Sequence, residues 1–334
     1  MFVRENQFVG SEEHSDAIIA RIVENYQHEL MNVRIPASTS NIGPGFDTLG
    51  LALNRYLYIS AIVDEGSMRP MLISVKGKGK EHISTDGTNL VYKGMVALAK
   101  DAGKSPANVF QGLQLRLDNG IPACGGVGGS GAAIAGGVFL ANEMLGTKLS
   151  RDEMLSIAVG LEGHPDNVSA ALMGGLTVNC FDRGELRCRS IKITAPIVVV
   201  TCSPNFQVLT QQARQILPRE ISLNDAVSNI ENVATLVAAL IEGDVEALRY
   251  ATGDRIHEQY RSALIPGYED VRKAALGAGA LSFNISGSGP TVFSFATENI
   301  KQIGEAMEKA FAAHGKVATY EVMTIENEGA QVVP

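Results

Sequence analysis

The stretch GGVGGSGAA, residues 125–133, decides how this chain is read. Gly126, Gly128 and Gly131 fit G-x-G-x-x-G, the spacing of a dinucleotide-binding turn. That turn needs a strand running straight into its first glycine, and an acid about 20 residues further on at the end of the next strand. Here the strand pattern of GLQLRLDNG (112–120) ends near Leu117, DNGIPAC intervenes, and the next acid, Glu143, lies in a helical pattern. The nicotinamide reading is therefore disfavoured. No Gly-Lys-Ser/Thr follows the glycines, which excludes a Walker-type loop. What remains is a helix entrance whose first turn offers unpaired N–H groups and the positive end of a helix dipole. Gly125, Gly126, Gly128, Gly129 and Gly131 would let an anion approach that main chain closely. Tight helix packing through Ala132, Ala133, Ala135, Gly136 and Gly137 explains the same composition. The loop alone leaves both explanations open.

Outward from the loop, strand and helix patterns interleave. MNVRIPAS (31–38), LGLALNRYLYISAIV (49–63) and MLISVKG (71–77) read as strands, and TNLVYKGMVALAKDAG (88–103) as a helix closed by Gly103. SRDEMLSIAVGLEG (150–163) is a helix with Ser150 as N-cap, and GGLTVNCF (174–181) and IKITAPIVVVTC (191–202) return to β structure. Residues 222–250 and 267–278 read as helices, and LSFNISGSGPTVFSF (281–295) as two apolar strands around a Gly-Pro turn. Residues 11–30 carry Ile18, Ile19, Ile22 and Val23 at helical spacing behind Ser11, the pattern of an appended packing helix. No repeat or low-complexity linker appears. A boundary near residue 200 gives a two-domain α+β protein.

Composition bounds the function. The 334 residues are 45% hydrophobic and 19% charged with a net charge of -8, which argues against a generic nucleic-acid groove. Cys124, Cys180, Cys188 and Cys202 have no zinc spacing, and a chain of this size needs no disulfide staples. No apolar run reaches the roughly 20 residues of a membrane span, and the acidic N-terminus lacks a signal-peptide core. The expectation is a cytoplasmic protein without membrane or nucleic-acid partners.

Three further segments bear on the glycine loop. RIPASTSNIGPGFDTLGLAL (34–53) joins a turn-rich loop to polar Ser38, Asn41 and Asp47. EGHPDNVSAALMGG (162–175) sets Glu162, His164, Asp166 and Asn167 at a helix end, and NISGSGPTVF (284–293) is another glycine turn. Together and in this order they resemble the homoserine kinase branch of the galactokinase–homoserine kinase–mevalonate kinase–phosphomevalonate kinase (GHMP) superfamily. The resemblance runs from about residue 32 to the C-terminus. It implies an N-terminal ribosomal-S5-like β/α domain that binds ATP (32–200), a ferredoxin-like α/β sandwich (201–334), and a helical extension (1–31) outside both.

The resemblance also implies an activity: transfer of the γ-phosphoryl group of ATP to the side-chain hydroxyl of L-homoserine, on the route to threonine. Its implied nucleotide residues are Asn89, Lys93, Gly126, Gly128, Gly129, Ser130 and Gly131; Asn89 also suits a helix N-cap. Asn41, Asp47, His164 and Asn167 would face the amino acid, joined by Thr210 and Arg214 from TQQARQILP and by His257 and Arg261 from HEQYRSALIPGY. Asn41, Glu162 and Ser130 would serve the phosphoryl transfer, with Glu162 and Ser130 as ligands of Mg²⁺. Asp47 is read as binding substrate rather than abstracting a proton. A homodimer is common among such kinases.

One departure bears on activity. The family loop usually reads G-L-G-S-S-A-A, whereas this chain has Gly126-Val127-Gly128-Gly129-Ser130-Gly131-Ala132. A hydroxyl bonded to a charged group is worth about 1.5–3 kcal/mol, ten- to a hundredfold in binding. Gly131 is expected to loosen the first helical turn by roughly 1 kcal/mol relative to Ala. Beside a working kinase stand two alternatives: a relative with non-kinase chemistry on a small carboxylate, and a non-catalytic binding protein.

Overall fold

Strands β1 (Met31–Ser40) and β2 (Leu49–Val63) pair antiparallel and carry the loop 41–48 at their joined end. The computed structural model describes residues 31–63, 71–122 and 125–334; the helical pattern at 11–30 lies outside them. β2 is long enough to serve two further partners. Leu57–Val63 pairs with β4 (Leu113–Asn119), and Leu49–Leu51 pairs with β5 (Leu176–Asp182). β3 (Leu72–Gly77) runs parallel to β4, and β6 (Glu185–Ile191) pairs with β5. The last strand, β11 (Gln331–Val333), returns to β1 and completes a seven-stranded sheet.

Helices α1 (Leu90–Asp101), α2 (Pro106–Val109), α3 (Gly129–Leu145), α4 (Arg151–Glu162) and α5 (Asp166–Met173) belong to this half. α3 is apolar nearly all round, as befits a helix enclosed by neighbours. It crosses α1 at backbone contact: a Cβ on Gly137 would lie 2.0 Å from the Val91 carbonyl oxygen, and one on Gly94 would lie 2.5 Å from that of Ile134. The packing explanation of the glycine-rich run therefore holds for Gly137, deep in the helix. α4 starts at the expected Ser150, with a reciprocal capping box to Glu153.

The second half is a four-stranded antiparallel sheet in the order β10-β7-β9-β8, formed by β7 (Val198–Pro204), β8 (Asn284–Ile285), β9 (Val292–Ala296) and β10 (Ala318–Met323). Its helices are α6 (Thr210–Gln215), α7 (Leu223–Glu242), α8 (Leu248–Ala251), α9 (Glu258–Arg261), α10 (Tyr268–Gly277) and α11 (Ile300–Ala313). Val271 and Ala275 of α10 and Ile303, Met307 and Phe311 of α11 share a core with Val200, Ile285 and Val292 of the sheet. The α+β, two-unit reading agrees with this architecture.

The expected boundaries need correction. The division at 200/201 falls inside β7, because the change of sheet occurs in the Lys192–Ile197 link around Pro196. Met31, assigned to the extension, already begins β1, and β11 belongs to the first sheet although it lies far into the second half of the sequence. The helix read over 222–250 stops at Glu242, where Gly243 at φ 75° makes a left-handed C-cap. β6 escaped the sequence reading because its alternation is mostly polar. Its hairpin turns at Arg183-Gly184, both with φ above zero, the conformation that suits a two-residue hairpin.

Candidate functional site

A cleft of about 530 Å³ opens where the entrance of α3, the 41–48 loop, the α4–α5 junction, α6 and the 286–289 turn converge. The α3 entrance is built from backbone. Gly126 and Gly128 have φ of 88° and 70°, and Gly128 is the N-cap. A Cβ there would strike Ser38 Oγ at 2.0 Å, and one on Gly126 would meet the Ser286 carbonyl oxygen at 2.6 Å. Ser286 donates its hydroxyl hydrogen to the Gly126 carbonyl, and Thr291 donates to that of Gly125. The glycine turn of the second half thus pins the loop that opens α3. Ser130 and Gly129 are exposed on the first turn, with the helix N–H groups facing the cleft region.

The α4–α5 junction brings acids to that turn. Glu162 ends α4, Gly163 at φ 87° caps it, and Asp166 opens α5. Ser130 donates to Glu162 at 2.7 Å. His164 Nδ1 lies 2.6 Å from Asp166. Burial disfavours the charge on His164, but the bond to Asp166 and the charges of Asp166 and Glu162 outweigh it and raise its pKa. Asn167 is fully engaged: its Oδ1 accepts from Ser38 at 2.9 Å and its Nδ2 donates to Ser40 at 2.9 Å. A Cβ on Gly131 would lie 2.8 Å from Asn167 Cβ and 3.1 Å from its carbonyl carbon. Gly131 is therefore required by the approach of α5 to α3, beside the loosening of the helix turn expected of a glycine.

The opposite wall carries opposite charges. Arg214 of α6 donates to both oxygens of Asp47, at 2.9 and 2.8 Å. The hydrogen bond to Asp47 raises the Arg214 pKa still further. Arg261, only 3% exposed, donates to the carbonyls of Ala213 and Gly287 at 3.1 and 3.0 Å. Burial, then the like charge of Arg214, pulls its pKa down. Among the described residues no carboxylate comes within ion-pair distance of Arg261. Asn41 and Asp47 adopt left-handed backbone conformations, which short polar side chains tolerate. Asn41 Nδ2 donates to Gly287 and its Oδ1 accepts from the Asp47 N–H at 3.0 Å, so Asn41 joins two walls of the cleft. His257 sits behind the cleft, 0% exposed, with Nε2 2.9 Å from the Gly43 carbonyl oxygen.

At the far end Asn89 caps α1, accepting from Val91 N–H at 2.9 Å, and also lines the cleft. Beside it Asp86 accepts from Thr88 and Ser84, bonds that hold its carboxyl down to about 2. Lys93 and His257 are the exceptions among the expected site residues. The helix of Lys93 buries Val91, Gly94, Met95 and Leu98, which turns Lys93 outward to solvent and away from the cleft. His257 sits behind the cleft, and all the others, Thr210 included, line the cleft. Residues 207–208, Ser40 and Ser288 also line it and were not anticipated. Phe46, outside the lining but stacked against Arg214 and Arg261, also went unread, because an apolar residue in a polar loop gives no chemical signal.

Comparison with known proteins agrees with this geometry. Residues 89–175 match the N-terminal domain model of GHMP kinases, and residues 236–313 match the C-terminal model. The chain is 39% identical to a homoserine kinase of Moorella thermoacetica, over 90% of this chain and 99% of that one. It is 43% identical to a homoserine kinase of Carboxydothermus hydrogenoformans, over 90% of this chain and 96% of the relative. The chain belongs to the homoserine kinase family. A crystal structure of a homoserine kinase from Cytophaga hutchinsonii superposes with a TM-score of 0.80 at 31% identity, covering 92% of this chain and 99% of that one. Among the described residues no helix is long and apolar enough to cross a membrane.

Proposed function

We propose that this chain transfers the γ-phosphoryl group of ATP to the side-chain hydroxyl of L-homoserine by direct in-line displacement. The observation that carries the reading is the meeting, in one cleft, of an anion-cradling helix entrance with the Asp47, Arg214 and Arg261 cluster. The triphosphate lies on the first-turn N–H groups of α3, and the nucleoside extends toward Asn89. The acceptor zwitterion sets its ammonium against Asp47 and its carboxylate against Arg214 and Arg261. Arg214 and Asp47 are over a third exposed, so their pair is worth on the order of 1 kcal/mol or less and exchanges readily with the zwitterion.

Phosphoryl transfer depends on alignment and charge neutralisation more than on covalent chemistry. Both oxygens of Asp47 accept from Arg214, which suits a binding role better than proton abstraction. Asn41 and Asn167 act by holding the walls in place. Ser130 and Glu162 offer a hydroxyl and a carboxylate, the hard oxygen donors that Mg²⁺ prefers alongside phosphate and water. When bound there, the ion would neutralise charge on the transferring phosphate. No observation favours the two non-kinase alternatives: the space above Gly129 is open, and Ser130 with Glu162 would still offer oxygen donors to a cation.

On this reading the seven-stranded half carries the nucleotide and the second half supplies the arginines. A homodimer belongs to the same proposal, supported by the exposed Leu223, Ile230 and Ile241 on one side of α7; sedimentation at rising concentration tests it. The test of function is ADP release from Mg-ATP with L-homoserine, L-threonine, L-serine and related carboxylates. Release dependent on L-homoserine is expected. No ADP with any acceptor, together with no ATP binding, overturns the reading.

A further inference from the structure

Phe46 lies between Gly45 and Asp47, and its ring lies against the cationic wall. The Arg261 guanidinium carbon stands 5.1 Å over the ring centroid and that of Arg214 stands 5.7 Å over it. The His257 ring stacks on Phe46 at 5.1 Å with an interplanar angle of 28°. His257 is itself fixed by Gly43, so the phenyl ring is held from behind. Two guanidiniums this close repel each other. Asp47 is ion-paired with Arg214, while Arg261, which feels the carboxylates of Asp47, Asp254 and Asp166 only from a distance, gives its hydrogen bonds to carbonyls among the described residues. The negative face of an aromatic ring attracts both cations without occupying their N–H donors. The N–H donors not already given to Asp47 and to the Ala213 and Gly287 carbonyls stay available for a planar anion.

We propose that Phe46 is a positioning residue that aligns Arg214 and Arg261 for the acceptor's α-carboxylate, and thereby sets the preference for substrates that carry one. The proposal rests on the reading above that the acceptor is an amino acid held by these arginines. A carboxylate in place of a second Asp47-like side chain would complete the charge balance of the wall. An acceptor lacking it gains nothing from the alignment. Phe46 therefore acts on discrimination rather than on the phosphoryl-transfer step or on ATP.

The test compares L-homoserine with 3-aminopropan-1-ol, which has the same hydroxyl and amine but no carboxylate. Wild-type activity with L-homoserine first establishes the underlying reading by itself. Phe46→Leu keeps an apolar side chain and removes the ring. It is expected to raise the KM for L-homoserine about tenfold, to leave the KM for ATP unchanged, and to lower the L-homoserine to aminopropanol ratio of kcat/KM by a similar factor. Phe46→Tyr is expected to restore the ratio. Should Phe46→Leu fail to fold, a fluorinated phenylalanine incorporated at position 46 keeps the shape and drains the ring face, and the same rise in KM is expected. An unchanged ratio in a folded Phe46→Leu or fluorinated protein, or equal losses with both acceptors, overturns the proposal.

Discussion

Ser130 Oγ and Glu162 Oε2 meet at 2.7 Å although 32 positions separate them in sequence. The contact joins the first turn of α3 to the last residue of α4, so a hydroxyl and a carboxylate face the place where the phosphates would lie. Glu162→Gln should raise the Mg²⁺ concentration needed for half-maximal rate by about ten- to a hundredfold, the worth of one lost charged oxygen contact. Initial rates against Mg²⁺ at fixed ATP measure this. An unshifted Mg²⁺ dependence would remove Glu162 from the cation site.

Gly129 and Gly131 should respond in opposite ways. Nothing lies within 4 Å of a Cβ placed on Gly129. Gly129→Ser should therefore leave the fold intact and raise activity, or leave it unchanged, by supplying the hydroxyl that the family loop usually has. A large loss in kcat/KM for ATP would contradict this.

Gly131→Ala should destabilise. The Ala preference of a helix is worth about 1 kcal/mol, but the contact with Asn167 Cβ at 2.8 Å makes the site overpacked, and forcing atoms into a filled site costs typically 1–3 kcal/mol. Thermal unfolding should show a lower Tm than wild type; an equal or higher Tm would mean that α5 yields easily.

Stability should also carry a titration from Glu258. Its carboxyl accepts from the Ile285 N–H and from Asn284 in a buried site. Burial, then the nearby charge of Asp254, pushes it up to about 8 from the ordinary value of 4.5. Between those values the folded chain keeps a proton that the unfolded chain has released, so stability falls as pH rises across that window. Glu258→Gln removes the titration. The wild-type Tm should drop relative to the variant between about pH 5 and pH 8; parallel curves would place the carboxyl outside a desolvated site.

Much of this was legible in sequence, for physical reasons that differ by residue. The α3 entrance was readable because only glycine fits the left-handed turn at Gly126 and Gly128, and Arg214 and Arg261 stood out within motifs. Asn41 and Asn167 line the cleft, yet their amides join backbone and hydroxyl groups, a role no spacing reveals. Lys93 misled because motif position does not state which side of a helix faces the ligand. Phe46 and the return of β11 to β1 depend on contacts between distant segments, which local patterns do not encode.

The most direct measurement follows the label from ATP carrying a tagged γ-phosphate, incubated with Mg²⁺, this protein and L-homoserine. The account predicts that the label appears as a phosphate monoester on the homoserine side chain, one for each ADP formed. Label released only as inorganic phosphate, at a rate indifferent to L-homoserine, would contradict it.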